Sequence, residues 1–229
     1  MIAPNHWGAR AAVLFLLLLP APAFALDPAK AITQFIHSVW QARDGIPQST
    51  ITAIAQTPDG YLWLGTREGL ARFDGVRFTV YTNENTPALT QSQILSLLAD
   101  REGRLWIGTW GGGLTKLEDG LFTRLSADQG LPNELVAVVA QDRNGRIWVG
   151  TDGGGLARLD GDRFASIPPQ GALGKQVRAI VAAPEGLWVG SEAGLALLTG
   201  DGKVSSYTEA QGLTHRSHSL RQLRGAVTP

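Results

Sequence analysis

A tryptophan returns through this chain at a fixed spacing, always inside the same short string, and few folds accommodate that. The string is Asp59-Gly60-Tyr61-Leu62-Trp63-Leu64-Gly65-Thr66, then Glu102-Gly103-Arg104-Leu105-Trp106-Ile107-Gly108-Thr109, then Asn144-Gly145-Arg146-Ile147-Trp148-Val149-Gly150-Thr151. A fourth copy, Glu185-Gly186-Leu187-Trp188-Val189-Gly190-Ser191, is one residue shorter. Each copy is followed by a Gly-Leu pair (Gly69-Leu70, Gly113-Leu114, Gly155-Leu156, Gly194-Leu195) and then by an acidic-Gly turn (Asp74-Gly75, Asp119-Gly120, Asp160-Gly161, Asp201-Gly202). A period of about 42 residues marks an array of supersecondary units.

Each period divides into four short strands separated by turn residues at hairpin distances. An apolar first strand (residues 51–55, 94–99, 136–140, 177–182) precedes the tryptophan strand. A third strand opens at the Gly-Leu pair, and a fourth carries Phe78, Phe122, Phe164 or Val204. Four antiparallel strands at this period predict an all-β chain of four β-propeller blades, an incomplete and open part of a larger propeller. The tryptophans Trp63, Trp106, Trp148 and Trp188 are then core residues, since an indole on the second strand fills the gap between adjacent sheets and removes about 150–250 Å² from water. The glycine before each tryptophan strand suits a two-residue hairpin needing positive φ. The glycine after the tryptophan lets neighbouring backbones come close.

The rest of the sequence bounds the setting. Lys+Arg 20 balance Asp+Glu 20, which gives no electrostatic case for a nucleic acid or an anionic membrane as partner. Cysteine is absent, so packing rather than disulfides must stabilise the fold. Arg10, the apolar run 11–19, Pro20, Pro22 and Ala23-Phe24-Ala25 read as a signal peptide cut near Ala25, placing the mature chain in the periplasm or outside the cell. No other segment is apolar enough to span a bilayer. The expected layout is a signal peptide at 1–25, a lead-in with an orphan outer strand at 26–49, blades at about 50–82, 93–126, 135–167 and 177–208, and a tail at 209–229. In that tail Gln211-Gly212-Leu213-Thr214-His215 repeats Gln129-Gly130-Leu131-Pro132-Asn133, but the strand that should follow is polar and no tryptophan comes after it. The tail therefore reads as truncated, frame-shifted or degenerate. Residues 34–40 align with a fourth strand that lacks its own blade. With no fifth blade, the flank around Val177 and Leu195 is expected to lack its neighbour.

The repeat, with Gln56-Thr57-Pro58-Asp59-Gly60-Tyr61-Leu62-Trp63-Leu64-Gly65-Thr66 and Gly69-Leu70-Ala71-Arg72-Phe73-Asp74-Gly75-Val76-Arg77-Phe78, resembles the two-component regulator propeller repeat. The lead-in Trp40-Gln41-Ala42-Arg43-Asp44-Gly45-Ile46-Pro47-Gln48 is similar to that family's entry into its first blade, and the resemblance covers residues 35–213. It implies the periplasmic ligand-binding region of a hybrid histidine kinase or diguanylate cyclase, followed in the family by a further β domain, a transmembrane helix and an effector. It departs from the family in having four blades, where seven are usual, and no effector sequence.

Strand alternation assigns the connections to two faces. Connections between second and third strands, and between blades, share one face, and the acidic-Gly turns share the other. The first face carries the residues that vary between copies: Arg67, Trp110, Asp152 and Glu192 after the second strands, and Gln48, Gln91, Asn133 and Lys175 before the first strands. Varied side chains on a fixed scaffold are where specificity is built. Trp110, outside the repeated position and beside Gly111-Gly112-Gly113, suits stacking on a sugar ring; packing over a neighbouring turn is the equal alternative. For Arg67, Asp152 and Glu192 a solvated surface role competes. No catalytic residue, metal site or cofactor is expected. His6, His37, His215 and His218 form no catalytic spacing, and His215-x-x-His218 lacks a third metal ligand. The functional expectation is a sensor module for a small molecule or glycan, working with downstream domains of the same receptor. A structural or protein-docking propeller is the first alternative, and a lyase-type propeller enzyme the second.

Overall fold

The computed structural model describes residues 38–212. Of the two compact units, Met1–Val39 and Trp40–Pro229, the second holds every regular element described. The signal peptide, residues 34–37 of the strand expected at 34–40, the tail beyond Gly212 and all four histidines lie outside the described residues, and the described remainder of that strand, residues 38–40, is not in a strand.

Sixteen strands form four sheets, each antiparallel and ordered as in the chain. Blade 1 is β1 (Ile51–Gln56), β2 (Leu62–Thr66), β3 (Leu70–Phe73) and β4 (Phe78–Tyr81). Blade 2 is β5 (Ile94–Ala99), β6 (Leu105–Thr109), β7 (Leu114–Glu118) and β8 (Leu121–Leu125). Blade 3 is β9 (Val136–Gln141), β10 (Ile147–Thr151), β11 (Gly155–Asp160) and β12 (Arg163–Ile167). Blade 4 is β13 (Val177–Ala183), β14 (Gly186–Ser191), β15 (Gly194–Leu198) and β16 (Val204–Tyr207). The first strands β1, β5, β9 and β13 contact one another in turn, so the blades are joined along their inner edges. The four-blade expectation holds.

Period-2 alternation decides what lies between blades. Trp63 shares a core with Ile94, Leu105 and Ile107 of blade 2. Trp106 does so with Val136, Ile147 and Val149 of blade 3, and Trp148 with Val177, Leu187 and Val189 of blade 4. Each indole therefore fills the gap toward the next blade. The glycine two residues later is what allows the approach: a side chain at Gly150 would run into Val138 of its own blade and Val177 of the next. Val177 thus sits in the blade 3–4 interface, fully buried, and Leu195 is buried too, against the expectation that both would mark an uncovered flank. The far flank of blade 4 is instead marked by Val181, 45% exposed, and by Trp188, which is only half-buried. On blade 1 the matching open position is Ile54, 62% exposed. Three filled interfaces and two open flanks make this a section of a propeller.

The turns before the tryptophan strands differ from the two-residue hairpins expected. Gln56 pairs with Leu62 and Gln141 with Ile147, which leaves five-residue turns in the first three blades. Only blade 4 has the two-residue form, with Ala183 paired to Gly186. Asp100 and Asp142 build the longer turn. Asp100 Oδ1 accepts the backbone N–H groups of Glu102 and Arg104, and Asp142 Oδ1 those of Asn144 and Arg146. The left-handed conformation that closes these turns falls on Gly103 and Gly145, at φ 86° and 82°.

Candidate functional site

The face formed by the connections from second to third strands is fastened by the residue ending each second strand. Thr66, Thr109 and Thr151 are buried, and each hydroxyl donates to the carbonyl of Gly69, Gly113 or Gly155 at 2.8–2.9 Å. Ser191 does the equivalent work by donating to Ala172 O at 2.7 Å. The loops are then tied to the connection leading into a blade. Trp110 N–H donates to Gln93 O, Gly113 N–H to Glu134 O, and both Gly153 and Gly155 N–H to Lys175 O. Arg124 on β8 locks the triglycine loop, donating from Nε to Gly112 O at 2.8 Å and from Nη2 to Glu134 Oε2 at 2.7 Å.

On this frame the candidate side chains divide. Trp110 is 51% exposed, and its ring makes no aromatic or cation contact. Arg67 is exposed and unpaired in the same position of blade 1. Asp152 forms an ion pair with Arg178 at 2.9 Å. Glu192 accepts the backbone N–H groups of Lys175 and Gln176 at 2.8 and 2.7 Å, so its carboxylate fastens a connection. Asn133 accepts the N–H of Leu135 at 2.8 Å in an Asx turn. Gln48 approaches Glu68 at 3.4 Å, Gln91 lies beside Gly112, and Lys175 is exposed. Among the described residues no hydrogen bond, ion pair or ring contact joins Trp110 to Arg67, Asp152 or Glu192. They share a face and stand in separate blades. No group of three or more His, Asp or Glu among the described residues could hold a metal ion.

The opposite face carries polar work that the repeat string did not reveal. Asp100 Oδ2 accepts Trp106 Nε1 at 2.7 Å and Arg104 Nε at 2.6 Å. Asp142 Oδ2 accepts Trp148 Nε1 at 3.0 Å and Arg146 Nε at 2.7 Å. In blade 1 the hydroxyl of Thr57 takes the indole N–H, and in blade 4 the exposed Glu185 does. The acceptor lies six residues before the tryptophan in three copies, a spacing legible as Asp-x-x-Gly-Arg-x-Trp in two of them. Burial pushes the Asp142 carboxyl up, but its hydrogen bonds with Trp148 and Arg146 outweigh that and hold it below the usual aspartate value.

The model of the two component regulator propeller matches residues 45–68, 88–111 and 130–153. The chain carries two-component regulator propeller repeats. Each matched stretch runs from a connection into a blade through the tryptophan strand. Histidine kinase P4 of Formosa agariphila is 41% identical over 51 residues, 22% of this chain and 4% of the kinase. The extracellular domain of the putative hybrid two component system BT3049 from B. thetaiotaomicron superposes with a TM-score of 0.67 at 23% identity, over 75% of this chain and 26% of that one. PorZ, a bacterial surface component of the type-IX secretion system of Porphyromonas gingivalis, gives 0.57 at 18% identity over 75% and 29%. A streptogramin B lyase gives 0.52 at 22% identity over 71% and 56%. These structures share the fold. The chain spans about a quarter of the extracellular domain it matches and a far smaller share of the kinase.

Proposed function

We propose that this chain is the ligand-sensing propeller section of an extracytoplasmic receptor in two-component signalling, without catalysis of its own. The regulator propeller repeats and the extracellular sensor domain of like fold support this reading. The observation that carries it is Trp110. Three blades present Arg67, Asp152 or Glu192 at the position where this one presents a half-exposed indole, on a loop clamped by Thr109 and Arg124. A rigid, flat apolar ring on a pinned loop loses little entropy when a ligand stacks on it. A small molecule or glycan is the ligand class that such a surface suits, with Arg67, Gln91 and Lys175 as further polar contacts.

Docking of another protein remains the second reading, favoured by the open flanks at Ile54 and Val181. A lyase reading needs a histidine and a carboxylate on the Trp110 face, and all four histidines lie outside the described residues. The test is titration of the receptor with neutral oligosaccharides, following tryptophan fluorescence. Trp110→Ala is expected to weaken binding about tenfold or more, corresponding to at least one lost stacking contact. A bound oligosaccharide with unchanged affinity in Trp110→Ala would remove this residue from the site.

A further inference from the structure

The junctions between blades 2 and 3 and between blades 3 and 4 are built from equivalent turns but closed differently. At the first, Gln141 bolts the two turns together: its Oε1 accepts Arg101 N–H at 3.1 Å and its Nε2 donates to Glu102 Oε2 at 2.8 Å. Arg101 completes the latch by donating from Nη1 to the Arg143 carbonyl at 3.0 Å. At the next junction the position of Gln141 is held by Ala182, and the turn of blade 4 is the short two-residue one. Arg143, the counterpart of Arg101, therefore has nothing to fasten to. Its guanidinium makes no hydrogen bond or ion pair. A groove of about 430 Å³ opens between the blades, lined by Arg143, Arg146 and Arg158 together with Ala182, Leu187 and Leu198.

The charges in this groove are not equivalent. Arg146 is paired with Asp142 at 2.7 Å and Arg158 with Asp160 at 2.7 Å. Glu185, also in the lining, accepts Trp188 Nε1 at 2.6 Å, and the nearby Arg143 charge adds to that bond in holding its carboxyl below the ordinary glutamate value. Of the three arginines only Arg143 makes no hydrogen bond or ion pair with its guanidinium, and such a planar fork matches one carboxylate in a two-point hydrogen bond. A doubly charged phosphate would need a second unpaired cation, which the groove does not offer. The aliphatic lining calls for an apolar body on the same molecule, and the volume suits a small one.

We infer that the groove between blades 3 and 4 is a second binding site, taking a small monocarboxylate with an apolar body, with Arg143 as its anchor. It lies apart from Trp110 and stands whether or not that face binds a ligand.

The experiment is calorimetric titration of the full chain with phenylacetate, with phenylacetamide and inorganic phosphate as separate arms. Phenylacetate is expected to bind saturably at one site in the millimolar range or tighter, with the amide and phosphate at least about tenfold weaker. Arg143→Gln should weaken phenylacetate at least about tenfold while leaving the melting temperature nearly unchanged, because the Arg143 side chain is exposed and makes no hydrogen bond or ion pair, and the carbonyl that Arg101 bonds is kept. Ala182→Gln restores the side chain that latches the neighbouring junction, and should also weaken binding by narrowing the groove. Absence of saturable phenylacetate binding overturns the inference. So does unchanged affinity in both variants, or an amide or phosphate that binds as well as the acid.

Discussion

Trp148 and Trp188 hold the same place in consecutive blades, yet Trp148 is 4% exposed and Trp188 is only half-buried. The difference lies outside the repeat that contains them. Trp148 is covered by Leu187 and Val189 of blade 4, whereas Trp188 has Tyr207 of its own blade, 5.5 Å away between ring centroids. Their polar anchors differ in the same sense. Trp148 donates into the buried Asp142 of a five-residue turn, and Trp188 donates to the exposed Glu185 of a two-residue turn. In a repeat array, burial and its stabilisation belong to the interface rather than to the unit.

The sharpest way to break this comparison is to truncate both indoles. Trp148→Ala should destabilise the chain by about 3–5 kcal/mol, the range for emptying a packed aromatic site. Trp188→Ala should cost less than half of that, because part of its surface already faces water. Urea unfolding of the two variants beside the parent measures both, and equal losses would mean that neighbouring blades contribute little to the indole's burial.

A smaller effect is expected from the anchors. Asp142→Ala leaves the Trp148 N–H, Arg146 and two turn N–H groups without their acceptor and should cost about 1–3 kcal/mol. Glu185→Ala removes an acceptor that water can replace and should leave the melting temperature nearly unchanged. Thermal melts of the pair would sharpen the contrast, and a Glu185 loss as large as that of Asp142 would contradict it.

The smallest effect is in acid. The Asp142 carboxyl is held below the ordinary aspartate value of 3.8 in the folded chain, so the unfolded chain takes up the proton first as pH falls. The stability it contributes is complete above the unfolded value and is lost as pH drops through the folded one. Asp142→Asn should therefore flatten the fall in melting temperature below about pH 4. A variant that follows the parent's acid limb unchanged would show that this carboxylate does not govern it.

By itself the sequence determined the period, the four-strand order of each blade, the face on which each connection lies and the indoles as interblade residues. Those follow from turn residues at hairpin spacing and from alternation along strands, which are local properties of the chain. What each side chain meets was decided only in three dimensions. Asp152 and Glu192 read as candidate ligand contacts or solvated surface carboxylates and are engaged within the chain, the first by Arg178 on β13 and the second by backbone N–H groups. Val177 read as a flank residue and is sealed against Gly150 of the preceding blade. Asp100 and Asp142 stand at a constant distance before their tryptophans, yet the pattern alone does not say that one carboxylate closes a turn and caps an indole at once. The groove beside Arg143 exists because Ala182 replaces a glutamine and the facing turn of blade 4 has two residues in place of five. The contacts of Asp152, Glu192 and Val177 depend on partners 16 to 27 residues away, and the groove on the exact length of a facing turn, and folding brings those together where local pattern cannot.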